Sequence, residues 1–268
     1  TLSPSSAASD VYKRQALDQE QLAELQQATE GWMAAVYLRL RALTEQGADP
    51  GETDIYEMFT AAMLRPLPPR RQRFLAVMGQ ADEFTGDMAR YITGQPDTPE
   101  ILADLTAKNA FVTRLPGGGY RFHHMMKTCA QRDFDALPPE EQAEYRARYG
   151  RWYADRGDYL QALAAFGKCG RWDAALDVIQ RDAGILLAAL RPQQVLELLD
   201  CCGDRVLMEH PTALLVLMRR MFTWGQIPRM QQLKALLLES VRNHPDMTPR
   251  QRGNLLGECD LIESFLHY

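Results

Sequence analysis

The stretch Arg114 to Met126, RLPGGGYRFHHMM, constrains this chain more than any other. An extended run, FVTRL, ends at Leu115, three glycines turn the chain, and Tyr120-Arg121-Phe122 follows as a second strand. Apolar and polar residues alternate on both sides of Gly117-Gly118-Gly119, which predicts a β-hairpin. A helix is expected to begin at the paired histidines His123 and His124. The sequence on either side carries helical periodicity, so the hairpin marks a seam between short helices before it and a long helical array after it.

On the N-terminal side, Leu17 to Leu43 reads as two helices, with Trp32, Val36, Leu40 and Leu43 on one face. GADPG (47–51) is a turn-rich linker. Four short amphipathic helices are expected next. The first carries Ile55, Met58, Phe59, Ala62 and Met63 inward. Pro66-Leu67-Pro68-Pro69 breaks the chain and starts a second, burying Phe74, Leu75, Val77 and Met78. The third shows Phe84, Met88, Tyr91 and Ile92. The fourth opens with Thr98 as N-cap and Pro99 at the first helical position, and buries Ile101, Leu102 and Leu105. Helices followed by a two-stranded wing make a winged helix, over residues 52–135.

From Pro138-Pro139 onward the reading is helical. Tyr145, Tyr149, Trp152 and Tyr153 form an aromatic stripe of core spacing. GDYLQAL (157–163) and GRWDAAL (170–176) echo each other. In each, a glycine ends one helix and an aromatic residue wedges into the next, as in stacked helical hairpins. Further turns are expected at CCGD, GQIP and NHPD. The fold class is therefore mainly α: a winged-helix domain with one β-hairpin, followed by a tetratricopeptide-like α-solenoid over 136–268. The chain stops at SFLHY inside an amphipathic helix without a polar cap and reads as truncated there. Residues 1–15 have neither the basic start nor the apolar stretch of a secretory signal and read as a non-native leader.

At 268 residues the chain can hold two or three small domains. A net charge of −5 and a pI of about 5.6 lack the basic footprint of a nucleic-acid binder. Apolar runs such as ILLAAL (185–190) and ALLVLM (213–218) fall far short of the ~20 residues a bilayer needs. The five cysteines form an odd set without CxxC spacing and read as reduced, packed thiols of a cytoplasmic protein.

No complete catalytic constellation is present, and the chain is not expected to be an enzyme by itself. The nearest imitation of a phosphate loop, ending in Gly167-Lys168-Cys169, has Ala162 for its first glycine and Cys169 for the magnesium-binding hydroxyl. VLELLD (195–200) imitates a strand ending in a metal-binding aspartate but lies among helices. Adjacent His123 and His124 diverge by about 100° on a helix and cannot share a metal. They read as a helix start with one imidazole hydrogen-bonded and the other solvated. The competing reading is that a histidine at a helix N-terminus beside a seam reaches an anion bound by a neighbouring domain.

Four segments then fall in a familiar order and spacing: TEGWMAAVYLRL, LPPRRQRFLAVMGQADEFTGDMARYITG, ILADLTAKNAFVTRLPGGGYRFHHMM and YGRWYADRGDYLQALAAFGKCGRWDAALDVI. On these the chain resembles the MalT-like, LuxR-type ATP-dependent transcriptional regulators of bacteria, of the STAND class related to NB-ARC switch proteins. The resemblance covers about Leu17 to Leu266. It implies an internal fragment: residues 16–47 as the helical end of a nucleotide-binding region, then the winged helix, then the first part of a sensor superhelix. A P-loop ATPase in cis and a C-terminal helix-turn-helix would lie outside the chain.

The resemblance further implies that the parent traps ADP between its ATPase core and the winged helix, which acts as a clamp without touching DNA. An inducer or partner protein at the repeats would favour exchange of ADP for ATP and self-association. Phe122-His123-His124 falls where NB-ARC relatives carry Met-His-Asp, which makes His123 the candidate for the ADP phosphate. Met33 replaces the proline that contacts adenine in relatives, and Ala35 stands where the family usually has glycine. No membrane contact is implied. The alternative is a plain scaffold whose helical repeats bind a partner protein without a nucleotide switch.

Overall fold

The computed structural model describes residues 56, 57, 59–107 and 111–267. The expected leader, the helices of 16–47, Met33, Ile55 and Met58 lie outside the described residues. The chain divides after Ala136 into two compact units.

In the first unit, helical backbone at Tyr56, Glu57 and Phe59 runs into a π-helical turn, Thr60–Leu64. The π turn inserts an extra residue, so Leu64 follows Phe59 into the core and Met63, expected inward, is 37% exposed. Helix α1 (Pro69–Met78) starts at a proline whose fixed φ suits the first helical position, and buries Phe74 to Met78 without interruption. It packs on α4 (His124–Asp135). At the crossing Gly79 leaves no room: a Cβ there would lie 2.6 Å from that of Ala130.

Phe84 corrects the reading of a third helix that begins with it. Its N–H and carbonyl exchange hydrogen bonds with Tyr120 at 3.0 and 2.8 Å, so it is a one-residue third strand. Helix α2 (Gly86–Thr93) begins after it, where the Thr85 side chain accepts the Met88 N–H at 3.2 Å, and ends at Gly94 with φ 67°. Its inner face is Met88, Ala89 and Ile92, which leaves Tyr91 outside at 42% exposure. Helix α3 (Thr98–Ala107) buries Ile101, Leu102 and Leu105 as expected. Thr98 is not its N-cap. It is a buried helical residue whose hydroxyl donates to the Gln95 carbonyl, and the Asp97 carbonyl accepts from the Ile101 N–H.

Strands β1 (Val112–Arg114) and β2 (Tyr120–Phe122) pair antiparallel, Val112 opposite Phe122 and Arg114 opposite Tyr120. The glycine turn closes with Leu115 N–H on the Gly119 carbonyl, and Gly118 supplies the positive φ of 81°. Helix, strand, two helices, strand, wing, strand is the order of a winged helix.

The second unit is helical throughout its described residues. It comprises α5 (Pro139–Asp155), α6 (Tyr159–Lys168), α7 (Trp172–Arg181), a 3-10 turn (Ile185–Ala189), α8 (Pro192–Met208), α9 (Pro211–Thr223), α10 (Ile227–Asn243) and α11 (Pro249–Ser264). From α7 onward helices pack on next-but-one as well as sequential neighbours, α7 on α9, α8 on α10 and α9 on α11, as stacked pairs do. Gly157 and Gly170, which open the two echoed phrases, take φ 76° and 67° and end α5 and α6. Tyr159 and Trp172 then pack, half-buried, against a continuous apolar core. The turn expected at CCGD is instead a kink inside α8, where Gly203 (φ 72°, ψ 151°) interrupts a chain that stays helical on both sides.

Gly150 on α5 faces the buried ring of Phe166 on α6, and a Cβ there would lie 2.5–2.7 Å from three ring carbons. In contrast, Gly253 and Gly257 on α11 are exposed and face open space. Gly→Ala should therefore have opposite signs within one unit. Gly150→Ala should cost ~1–3 kcal/mol through overpacking, whereas Gly253→Ala and Gly257→Ala should each gain up to ~1 kcal/mol from helix propensity. Denaturant titration of the three variants checks the prediction.

Candidate functional site

His123 lies where β2 gives way to α4. Its N–H donates to the Phe111 carbonyl at 2.8 Å, continuing the ladder one pair beyond Val112 and Phe122. Its backbone is still extended (φ −57°, ψ 147°), and its carbonyl accepts the Lys127 N–H of the first helical turn at 2.9 Å. Histidine serves as the N-cap: Nδ1 accepts the Met125 N–H at 3.4 Å. The ring is half-buried and His124, the first helical residue, is exposed. A ring whose Nδ1 accepts carries its neutral-state proton on Nε2. One imidazole is hydrogen-bonded and the other solvated, as the adjacent pair predicts.

The framework around His123 is apolar beneath and charged at the rim. Phe122, Met125 and Met126 are buried, and Phe84 packs edge-on against Phe122 with centroids 5.2 Å apart. At the rim, Arg121 pairs with Glu83 at 2.7 Å and Lys127 pairs with Asp82. The Lys127 ammonium holds the Asp82 carboxyl below its ordinary range. These two bridges tie residues 82–84 to the wing and to α4.

Phe111 takes φ +60°, the left-handed region that a bulky side chain seldom occupies. Its ring is buried, edge-on to Phe59 at 4.9 Å between centroids and to His123 at 6.1 Å. Sequence reasoning finds the histidine but neither Phe111 nor the strand role of Phe84. Nothing in FVTRL signals a positive φ. Thr85, a good N-cap two residues before Asp87, is the one signal that α2 starts after Phe84.

In the second unit the motif imitations resolve into helix surface. Gly167 and Lys168 form the last turn of α6, and Asp200 lies within α8, paired with Arg229 at 2.7 Å. A groove of about 560 Å³ runs between α6 and α8, floored by Leu163, Trp172 and Leu198 and rimmed by Lys168 and Glu197. In the aromatic stripe Tyr149 and Trp152 are buried, and the Arg156 guanidinium stacks 3.1 Å from the Trp152 ring centre. Arg148 and Arg151 share Glu144 at 3.2 Å each. Three of the five cysteines (Cys129, Cys202, Cys259) are buried, and burial pushes the Cys202 thiol up to about 12. Among the described residues no group of three or more His, Cys, Asp or Glu is placed to hold a metal. No described helix is long and apolar enough to cross a membrane.

Residues 60–142 match the family model of the MalT winged helix domain. The matched stretch contains the π turn, α1 to α4, the three-strand pairing and His123, and ends in the first turn of α5. No curated protein and no solved structure matches the chain. The chain thus carries a MalT-type winged helix, with His123 at its last strand-to-helix junction.

Within this MalT-type domain, burial pushes the Asp133 carboxyl of α4 up, opposed in part by Arg65. A raised folded-state pKa means that ionised Asp133 opposes folding. The penalty is absent below the ordinary value of 3.8 and grows as pH rises through the folded-state pKa. Asp133→Asn should therefore raise Tm at pH 7 and leave it unchanged at pH 3, as thermal melts at the two pH values will show.

Proposed function

We propose that this chain is the regulatory segment of a MalT-type signal-responsive transcriptional activator, in which the winged helix clamps ADP and the helical array senses an inducer or partner protein. The carrying observation is a MalT-type winged helix with a histidine capping the helix that follows its last strand. In this reading a P-loop ATPase precedes the segment, a LuxR-type helix-turn-helix follows it, and the parent works in the cytoplasm as an ATP-hydrolysing switch of the STAND class. The segment itself is not an enzyme. Its array is of the tetratricopeptide-like kind.

His123 supplies the phosphate contact. With Nδ1 engaged by Met125, the Nε2–H is the polar edge that donates to an oxygen of the ADP β-phosphate. The N-terminal N–H groups of α4 add their partial positive charge. In the same reading Met33, which stands in the position of the relatives' adenine-contacting proline, is assigned to the adenine side of the nucleotide. Inducer binding at the array loosens this contact, ADP leaves, and ATP-bound parents associate and cluster their DNA-binding domains.

A clamp role fits the charge of the domain better than DNA reading does. Helix α3 occupies the position that enters a major groove in DNA-binding winged helices. Its sequence, TPEILADLTA, holds Glu100 and Asp104 and no lysine or arginine. Asp104 is paired with Arg71 of α1.

In the full-length parent, His123→Ala removes one hydrogen bond to a charged group, ~1.5–3 kcal/mol. The Kd for ADP should rise roughly 10- to 100-fold by calorimetry, and basal promoter activity should increase. An unchanged Kd contradicts the role of His123, and an upstream reading frame without GxxxxGK[ST] contradicts the whole reading.

A further inference from the structure

We propose that Phe111 is a positioning residue for His123, fixing the orientation of the imidazole and hence the tautomer it presents. Only the functional consequence rests on the clamp reading; the geometry stands apart from it.

Among the described residues, Phe111 supplies two contacts to His123. Its carbonyl takes the His123 N–H at 2.8 Å, and its ring meets the imidazole at an interplanar angle of 66° with centroids 6.1 Å apart. The Met125 N–H donates to Nδ1. A left-handed phenylalanine persists only where its surroundings over-determine it. Here the buried ring, locked edge-on to Phe59 at 4.9 Å, does so. The turn at Phe111 also ends the ladder of β1 and β2, so the backbone that aims its carbonyl at His123 and the ring that abuts the imidazole come from one residue. Phe111 acts through His123 alone: with the ring held so that Nδ1 accepts, the neutral imidazole is a donor at Nε2, the polarity that a phosphate oxygen requires.

Long-range ¹H–¹⁵N NMR of the full 268-residue chain reads the tautomer directly, with His123 assigned among the five histidines by His123→Gln. Wild type should show a single Nε2-protonated form. Phe111→Ala should move both ring nitrogens toward the average of the two tautomers, and Phe111→Leu, which keeps the bulk without the aromatic edge, should do the same if the alanine variant fails to fold. Val112→Ala truncates a neighbouring buried residue on β1 and should lower Tm without altering the His123 pattern. Folded Phe111 variants with the wild-type pattern, a mixed pattern in wild type, or an equal change in Val112→Ala would overturn the proposal. No nucleotide enters the measurement, so failure of the clamp reading is scored separately by ADP affinity in the parent.

Discussion

Two backbone hydrogen bonds between Phe84 and Tyr120 hold the winged-helix unit to its shape. A bare hairpin of three-residue strands is marginal in water. The third strand residue gives Tyr120 partners on both sides, and the rings of Phe84, Tyr120 and Phe122 fill the space beneath. Each hydrogen bond is worth only ~1 kcal/mol net. Burial of the rings, ~1.5–3 kcal/mol for a side chain as buried as Phe84, supplies most of the stabilisation. Once this pairing forms, the chain between Phe84 and Val112 is a closed loop in which α2 packs on α1 and α3 packs on α2 and β1, and the end of β2 is placed where α4 begins. The position of His123 follows from that placement.

The helical array obeys a different constraint. Its helices are mostly amphipathic, so none can bury its apolar face alone, and packing on sequential and next-but-one neighbours builds one continuous core. Glycines in the left-handed region at Gly157, Gly170 and Gly225 end three of the helices and reverse the chain. Where a glycine interrupts a helix without reversing it, at Gly203, the result is a kink with Cys202 and Leu207 buried on either side.

How much of this was legible follows from the range of each signal. The hairpin, the helix start at His123 and the glycine ends of α5 and α6 rest on local chemistry and could be read directly. Phe84, Met88 and Ile92 recur at helical spacing, and a one-residue strand has no period of its own, so the sequence alone puts Phe84 in the helix. Met63 departs from its expected inward place because a π turn shifts the inward face by one residue, and Tyr91 because Met88, Ala89 and Ile92 already complete the buried face of α2. The left-handed Phe111 is invisible in the sequence: its ring is locked against Phe59, far away in the chain. The histidine of the candidate site was therefore found, while the residue that holds it was not.

Amide hydrogen exchange at Phe84 and Tyr120 tests most directly whether the third strand governs the winged helix. If the pairing is the constraint described, the two amides exchange together, as slowly as those of β1 and β2. A Phe84 amide exchanging as fast as that of exposed Gly117, while Tyr120 stays protected, would contradict it.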